Sequence, residues 1–346
     1  MSDGPLVSFV LFAYNQERFI REAVEGALSQ TYRPLEIILS DDYSSDRTFQ
    51  IMQELAAAYK GPHKVVLNRN ASNLGVAEHV NRLMELSAGS LVVVAAGDDV
   101  SHPQRVRYLC EEWLRQKQSP TSIHSDYEVM DDQGRLVKDN QKRNDYAGKG
   151  SAGLGEIRGF LRGTNQAGHI HGATHAFSPV LFKEFGPLNM DVVFEDKVLG
   201  FRSLLYGSFA YVPRKLVRYR MHASNLWGRR ADPRASRYER VRQGIAQEAV
   251  HNHRWVAVLN NYRDDMHMFM SRGGCTHADG VAVLREIDRC LKVKVCEYRI
   301  YASPPWVALL ALLHRLLLRP QWRYGWPAAK HLLFRTADSA GLLPKQ

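Results

Sequence analysis

The stretch Leu91–Asp99, L-V-V-V-A-A-G-D-D, sets six apolar residues before Gly97 and two adjacent carboxylates, Asp98 and Asp99. A Val-rich run this short, closed by glycine, has the signature of a parallel strand covered on both faces. In open α/β sheets, ligands bind at the carboxyl ends of such strands. Two carboxylates side by side repel, and a divalent cation carrying a phosphate relieves that repulsion. The stretch therefore predicts an α/β fold with an acidic ligand site at the end of a buried strand.

The flanking sequence alternates strand and helix patterns in the manner of a parallel sheet. Leu6–Phe12 is expected as a strand and Glu17–Leu28 as a helix, with Phe19, Ile20, Ala23, Val24, Ala27 and Leu28 on one face. Leu35–Leu39 is a second strand that closes on Asp41 and Asp42. Ser45 and Asp46 then supply cap chemistry for a helix through Tyr59. Val65–Leu67 and Val76–Ser87 add a strand and a helix before Leu91–Ala95. Downstream, Pro103 opens a helix to about Lys117, Ser122–Val129 reads as a strand, and Lys138–Gly155 as a loop. Gly168–Phe177, Phe209–Val212 and Leu216–Met221 are predicted strands, with a helix over Glu195–Tyr206. From about Asn225 the pattern is mainly helical.

The chain has 346 residues and a net charge of +10, unevenly placed: residues 1–226 hold 26 Lys/Arg against 26 Asp/Glu, and residues 227–346 hold 20 against 10. A segregated basic segment fits an anionic partner such as a phospholipid surface, and equally a solvated basic helix face. The four cysteines, Cys110, Cys275, Cys290 and Cys296, form no CxxC pair, which fits reduced thiols in a cytosolic protein. The polar start M-S-D-G-P argues against a cleaved signal peptide. The apolar run Trp306–Leu318 is 13 residues long and interrupted by His314 and Arg315, whereas a spanning helix needs roughly 20.

Several residues carry chemistry by type and place. In S-D-D-Y-S-S-D-R-T, Ser40–Thr48, Asp41 and Asp42 stand where a base or ribose would be met, although the same residues also serve as a turn and helix cap. In A-Y-N-Q-E, Ala13–Glu17, an aromatic can stack on a base and Asn15 can bond a turn backbone. Neither GxGxxG nor GxxxxGK[ST] follows the first strand, which argues against dinucleotide oxidoreductases and P-loop enzymes. A nucleotide held here would need a metal for its phosphates. His169, His171 and His175 have a spacing that a regular strand would place on one face, as zinc could use, but no acid or Cys completes it in sequence. His222 can donate to a diphosphate or serve as a structural histidine.

The order of these pieces resembles family 2 glycosyltransferases. S-F-V-L-F-A-Y-N-Q-E through S-D-D-Y-S-S-D-R-T is similar to their opening, and N-x-x-N-L-G-V at Asn70–Val76 to the next segment. G-D-D-V-S-H-P-Q-R-V, Gly97–Val106, resembles their acidic metal motif, and H-S-D-Y-E-V-M-D-D-Q-G, His124–Gly134, the strand and turn after it. F-E-D-K-V-L-G-F-R, Phe194–Arg202, resembles the segment supplying the catalytic base, and Y-R-M-H-A-S-N, Tyr219–Asn225, the one that closes the domain. The likeness covers roughly residues 6–226.

The resemblance implies a GT-A fold, a Rossmann-like mixed sheet flanked by helices, followed here by a mainly helical extension. The expected domains are 1–226, with a nucleotide-binding half over about 1–134 and an acceptor half over about 135–226, and a basic extension over 227–346. It implies inverting transfer from a nucleoside-diphosphate sugar to a glycan or lipid-linked acceptor, of the kind that builds bacterial surface polysaccharide, with Mg²⁺ or Mn²⁺; the basic tail suggests a polyprenyl-linked acceptor. Carried over, Tyr14 and Asp42 would contact the base, Asp98 the ribose or sugar, and Asp99 the ion. Asp196 would be the base with Glu195 beside it, while Ala13, Asn15, Glu17, Asn73, Gly75 and His222 complete the donor site. Many relatives carry another acid where Ala96 stands, so the metal is expected to rest mainly on Asp99.

Within 304–335, Trp306, Trp322, Tyr324 and Trp326 alternate with Arg beside a Leu-rich stretch, the composition of an interfacial helix. The competing reading is packing on the domain or on a second copy in a homodimer. A cytoplasmic enzyme at the inner face of the cell membrane is the expectation, with no nucleic-acid partner because no RNA-binding signature is present. Two other classes stand against it. One is a catalytically silent nucleotide-binding protein with a basic lipid- or nucleic-acid-binding tail. The other is a nucleotidyltransferase, which would show an early Gly/Arg/Lys-rich phosphate loop.

Overall fold

The computed structural model describes residues 4–118, 120–137, 154–162, 170–223, 225 and 237–302. The basic tail 304–335, His169 and most of the loop after Lys138 lie outside them.

Four parallel strands form the first half of one mixed sheet: β1 (Val7–Ala13), β2 (Leu35–Asp41), β3 (Lys64–Arg69) and β4 (Leu91–Ala96). Helices α1 (Ile20–Leu28), α2 (Thr48–Ala58) and α3 (Val76–Leu86) connect them. Next come β5 (Val100–Ser101), α4 (Arg105–Arg115), β6 (Ser122–Met130), α5 (Leu154–Arg162), β7 (Ala176–Phe177) and α6 (Val180–Phe185). The chain continues through α7 (Glu195–Tyr206) and β8 (Phe209–Arg220) to two long helices, α8 (Arg237–Ser271) and α9 (His277–Ala302). The strand order is β3-β2-β1-β4-β7-β6-β8-β5, with β7 antiparallel to both β4 and β6. Parallel β6 and β8 complete the second half. This is the expected mixed sheet with flanking helices.

The sheet is covered on both faces, which is why β4 reads as an unbroken apolar run, as do Phe9–Ala13 of β1 and Ile37–Leu39 of β2. On one face Phe9, Leu11, Ile37 and Val93 pack against α1 and α4 through Ala23, Val24, Val106 and Leu109. On the other, Val10, Ile38, Val92 and Val94 meet Val80 and Leu83 of α3 and Val198 and Phe201 of α7. That second core continues without a break into Val258, Leu259, Tyr262 and Met266 of α8 and Val283 and Ile287 of α9. The described part of the C-terminal extension thus buries its apolar side against the sheet domain.

Three local expectations are corrected. Gly168–Phe177 is not one strand: its described part is a 3₁₀ turn, Gly172–Thr174, followed by the two-residue β7. Phe209–Val212 and Leu216–Met221 are one strand, β8, because the shift of register between Ser125/Val212 and Asp126/Lys215 absorbs the interruption at Pro213. The predicted loop Lys138–Gly155 runs into α5, which begins at Leu154.

Candidate active site

The carboxyl ends of β1, β2 and β4 lie level, with Ala13 opposite Asp41 and Phe12 opposite Ala96. Asp98 and Asp99 follow β4 through Gly97. A Cβ at Gly97 would come within 2.6 Å of the Ala13 Cβ and 3.0 Å of the Ile20 Cδ1, so only glycine lets the chain turn this close to β1.

Both acids of the pair are buried, and each is held differently. The Asp98 Oδ2 lies 2.9 Å from the His222 Nε2, and the Asp98 carbonyl accepts a bond from the Arg220 Nε at 2.9 Å. The Asp99 Oδ1 accepts the Arg220 backbone N–H at 2.8 Å, while its Oδ2 is enclosed with no hydrogen-bond donor. Burial first, and the Asp98 charge second, raise the pKa of Asp99 well above the usual carboxylate range, against the pull of Arg105 and Arg220. An enclosed, donor-less carboxylate oxygen is the group a hard divalent cation would satisfy, and one protein carboxylate with phosphate oxygens and water suits Mg²⁺ or Mn²⁺. Among the described residues no set of three or more His, Cys, Asp or Glu is arranged to hold a metal. Asp99 is therefore a fitting but partial ligand set.

Two arginines that the sequence reading passed over frame the pair. Arg105 is fully buried and donates to the Ser101 Oγ at 2.9 Å and to the Val94 and Ala173 carbonyls at 2.8 Å. Burial lowers its pKa to about 9, and the Asp99 charge opposes that shift. Arg220, also buried, reaches the Glu22 Oε2 at 3.0 Å and lies over the Phe19 ring at 4.9 Å. An arginine at the first position of the helix that follows the acid pair and one in the closing segment were the available signals.

The residues expected at the nucleotide end divide by where their side chains go. Tyr14 is 48% exposed at the end of β1. Asn15 holds a left-handed backbone, φ 51°, and its Oδ1 accepts the Ser45 N–H at 2.9 Å. Glu17 accepts the Arg47 N–H at 3.0 Å, so both side chains pin the β1–α1 loop to the β2–α2 loop. Asp42 is buried and accepts from the Asn70 Nδ2 at 2.8 Å and from the Leu74 and Gly75 N–H groups at 2.9 Å. Gly75 needs its freedom, with φ 78°, and the Asn73 Oδ1 also accepts its N–H at 3.0 Å. The Ala13 carbonyl accepts the Asp42 N–H at 2.9 Å. Asp42, Asn73 and Gly75 thus form one loop anchored on β2.

Glu195 and Asp196 start α7. The Asp196 Oδ2 accepts the Gly172 N–H at 3.1 Å and lies 3.3 Å from the Lys197 Nζ. Glu195 is pushed up to about 8, by burial first and the Asp196 charge second. A Cβ at Gly172 would stand 2.9 Å from the Glu195 Oε1, so the turn passes close beside this carboxylate.

The described histidines of the candidate zinc cluster do not act together. His175 is buried with its Nε2 on the Ser122 Oγ at 2.9 Å, and burial lowers its pKa to about 3. His171 instead packs on Tyr127 and Tyr219.

This fold and this strand-end acidic site define a glycosyltransferase of the GT-A kind. The model of "Glycosyl transferase family 2" matches residues 8–185, more than half of the chain, and the chain belongs to that family. EpsE of Bacillus subtilis (strain 168), which bears the name of a glycosyltransferase, is 37% identical over 106 residues. That alignment spans 31% of this chain and only 37% of EpsE. S. aureus TarS 1–349, solved with UDP-GlcNAc, superposes with a TM-score of 0.53 at 13% identity, over 97% of this chain and 92% of that one. The mannosyltransferase PcManGT of Pyrobaculum calidifontis, solved with GDP-Man and Mn²⁺, gives a TM-score of 0.52 at 16% identity, over 98% and 88%. These likenesses show the shared fold.

Proposed function

We propose that the chain moves a sugar, with inversion, from a nucleoside-diphosphate sugar to a hydroxyl of a glycan or polyprenyl-linked acceptor in surface polysaccharide synthesis. The observation that carries this reading is the enclosed, donor-less Asp99 Oδ2, with Asp98 beside it and a second carboxylate, Asp196, at the start of α7. The solved complexes of TarS with UDP-GlcNAc and of PcManGT with GDP-Man support the donor class.

In the transfer, the acceptor oxygen bonds to the anomeric carbon as the bond from that carbon to the diphosphate oxygen breaks. The electron pair leaves with the diphosphate, and the acceptor proton passes to Asp196. One displacement inverts the centre, so one base suffices. Asp99 would hold Mg²⁺ or Mn²⁺, which when bound neutralises charge on the leaving diphosphate. Asp98, fixed by His222, would accept from a ribose or sugar hydroxyl. Exposed Tyr14 would stack on the base above Asp42.

The chain would work in the cytoplasm with residues 304–335 lying on the inner face of the membrane. No described helix is long and apolar enough to cross one. Thermal shift against UDP, GDP, dTDP and CDP, with and without Mn²⁺, tests the donor reading. A metal-dependent rise with at least one is expected, and no response to any of the four overturns it.

A further inference from the structure

Three half-buried rings, Tyr127 of β6, His171 just before the 3₁₀ turn and Tyr219 of β8, meet in one cluster. His171 and Tyr219 stand edge to face at 4.6 Å, Tyr127 and His171 at 4.9 Å, and Tyr127 and Tyr219 at 5.6 Å. These are ordinary separations for interacting aromatic rings. Their place is what distinguishes them. Residue 220, next to Tyr219, gives its N–H to Asp99, and residue 172, next to His171, gives its N–H to Asp196. Tyr219 also feels the charges of both Asp99 and Asp98. The cluster is therefore joined through neighbouring backbone to both acids, Asp99 and Asp196, which the donor reading assigns to the diphosphate end and the proton-accepting end.

The anomeric carbon must lie between those ends, because its old bond breaks toward one and its new bond forms toward the other. A pyranose presents an apolar C–H face as well as its hydroxyls. A wall of half-buried aromatics with polar tips suits such a face better than it suits phosphate or ribose. We infer that Tyr127, His171 and Tyr219 are the platform on which the transferred sugar ring lies, and that they set which sugars are accepted. This rests on the donor reading above.

The platform concerns the sugar and leaves the nucleotide alone, so its test compares the two ligands. Titration calorimetry with Mn²⁺ measures whichever of UDP, GDP, dTDP and CDP the wild-type protein binds against a sugar conjugate of that same nucleotide, such as UDP-GlcNAc or GDP-mannose. Tyr127→Ala and His171→Ala are expected to weaken the sugar nucleotide about tenfold while the bare nucleotide changes less than about twofold. Tyr127→Phe, which keeps the ring, holds the wild-type ratio. The inference is overturned if folded variants keep the wild-type ratio, or if both affinities fall together. Should Tyr127→Ala fail to fold, the ratio in His171→Ala decides. A wild-type protein that binds none of UDP, GDP, dTDP and CDP removes the donor reading, and this inference with it, an outcome distinct from nucleotide binding without a change in ratio.

Discussion

An enclosed carboxylate oxygen without a donor is costly, and at Asp99 that cost supports the metal-holding role proposed above. Asp99→Asn should leave the fold intact yet abolish the part of nucleotide-induced thermal stabilisation that depends on Mn²⁺. A full Mn²⁺ response in that variant would remove Asp99 as the ligand. Asp196→Asn separates binding from chemistry in the same way. Nucleotide affinity should stay within about twofold, while transfer falls by about 10²–10⁴ for loss of a general base. Unchanged transfer would exclude it as the base. Glu195 makes a different prediction, through linkage. Its folded pKa of about 8 lies above the ordinary 4.5, so between those values the folded state keeps a proton that the unfolded chain has released. Its effect is therefore a loss of stability as pH rises from 4.5 to 8, absent below that window and complete above it. Glu195→Gln should match wild-type melting at pH 4 and exceed it increasingly toward pH 9. A constant difference across that range would contradict the burial argument.

Helix α7 carries Glu195 and Asp196 at one end and is fastened along its length by α8. Arg202 gives its Nε to the Asp265 Oδ2 at 2.9 Å and its Nη2 to the Oδ1 at 3.0 Å, and both side chains are almost wholly buried. The Tyr262 hydroxyl donates to the Lys197 carbonyl at 3.1 Å, and its ring stacks on Phe201 at 4.2 Å. Removing one partner of such an ion pair strands the other. Asp265→Ala should thus cost about 3–5 kcal/mol in urea unfolding, and a loss below about 1 kcal/mol would mean that water reaches Arg202. None of this was readable beforehand, because Arg202 and Asp265 are 63 residues apart and neither breaks a local pattern. What was readable follows from periodicity. The alternation from β1 to β4 matches because apolar spacing there is regular over whole elements, and α7 keeps its expected ends, Glu195 and Tyr206, although it is buried on nearly every side. The two-residue strands β5 and β7 are too short to carry a period, and Pro213 hid the continuity of β8. At the site, Asp98, Asp99 and Asp196 stand out as paired acids at element ends. Arg105, Arg220, Tyr127 and Tyr219 gain their positions only when the two halves of the sheet close together.

At the scale of the whole molecule, the excess positive charge lies beyond residue 226 and divides into two parts with different physical situations. Within α8 and α9 an apolar side is used up in the shared core, where Tyr262, Met266, Val283 and Ile287 are fully buried. Beyond residue 303 the sequence carries Arg315, Arg319, Arg323, Lys330, Arg335 and Lys345 against the single acid Asp338, interleaved with Trp306, Trp322, Tyr324 and Trp326. Each cation near an anionic bilayer contributes about 1 kcal/mol at physiological salt, and the contribution fades within a Debye length. Several together with four aromatics would, on the proposed function, hold an enzyme of this size at the surface where the proposed polyprenyl-linked acceptor resides. Deleting residues 304–346 should therefore move the protein from the membrane fraction to the supernatant, while Mn²⁺-dependent nucleotide stabilisation persists, because Asp98, Asp99 and Asp196 remain. Raising salt should release the intact chain in part, the aromatics retaining the rest. Unchanged fractionation after the deletion would instead assign the tail to packing, and a change in mass by light scattering on the same deletion would identify its partner as a second copy of the chain.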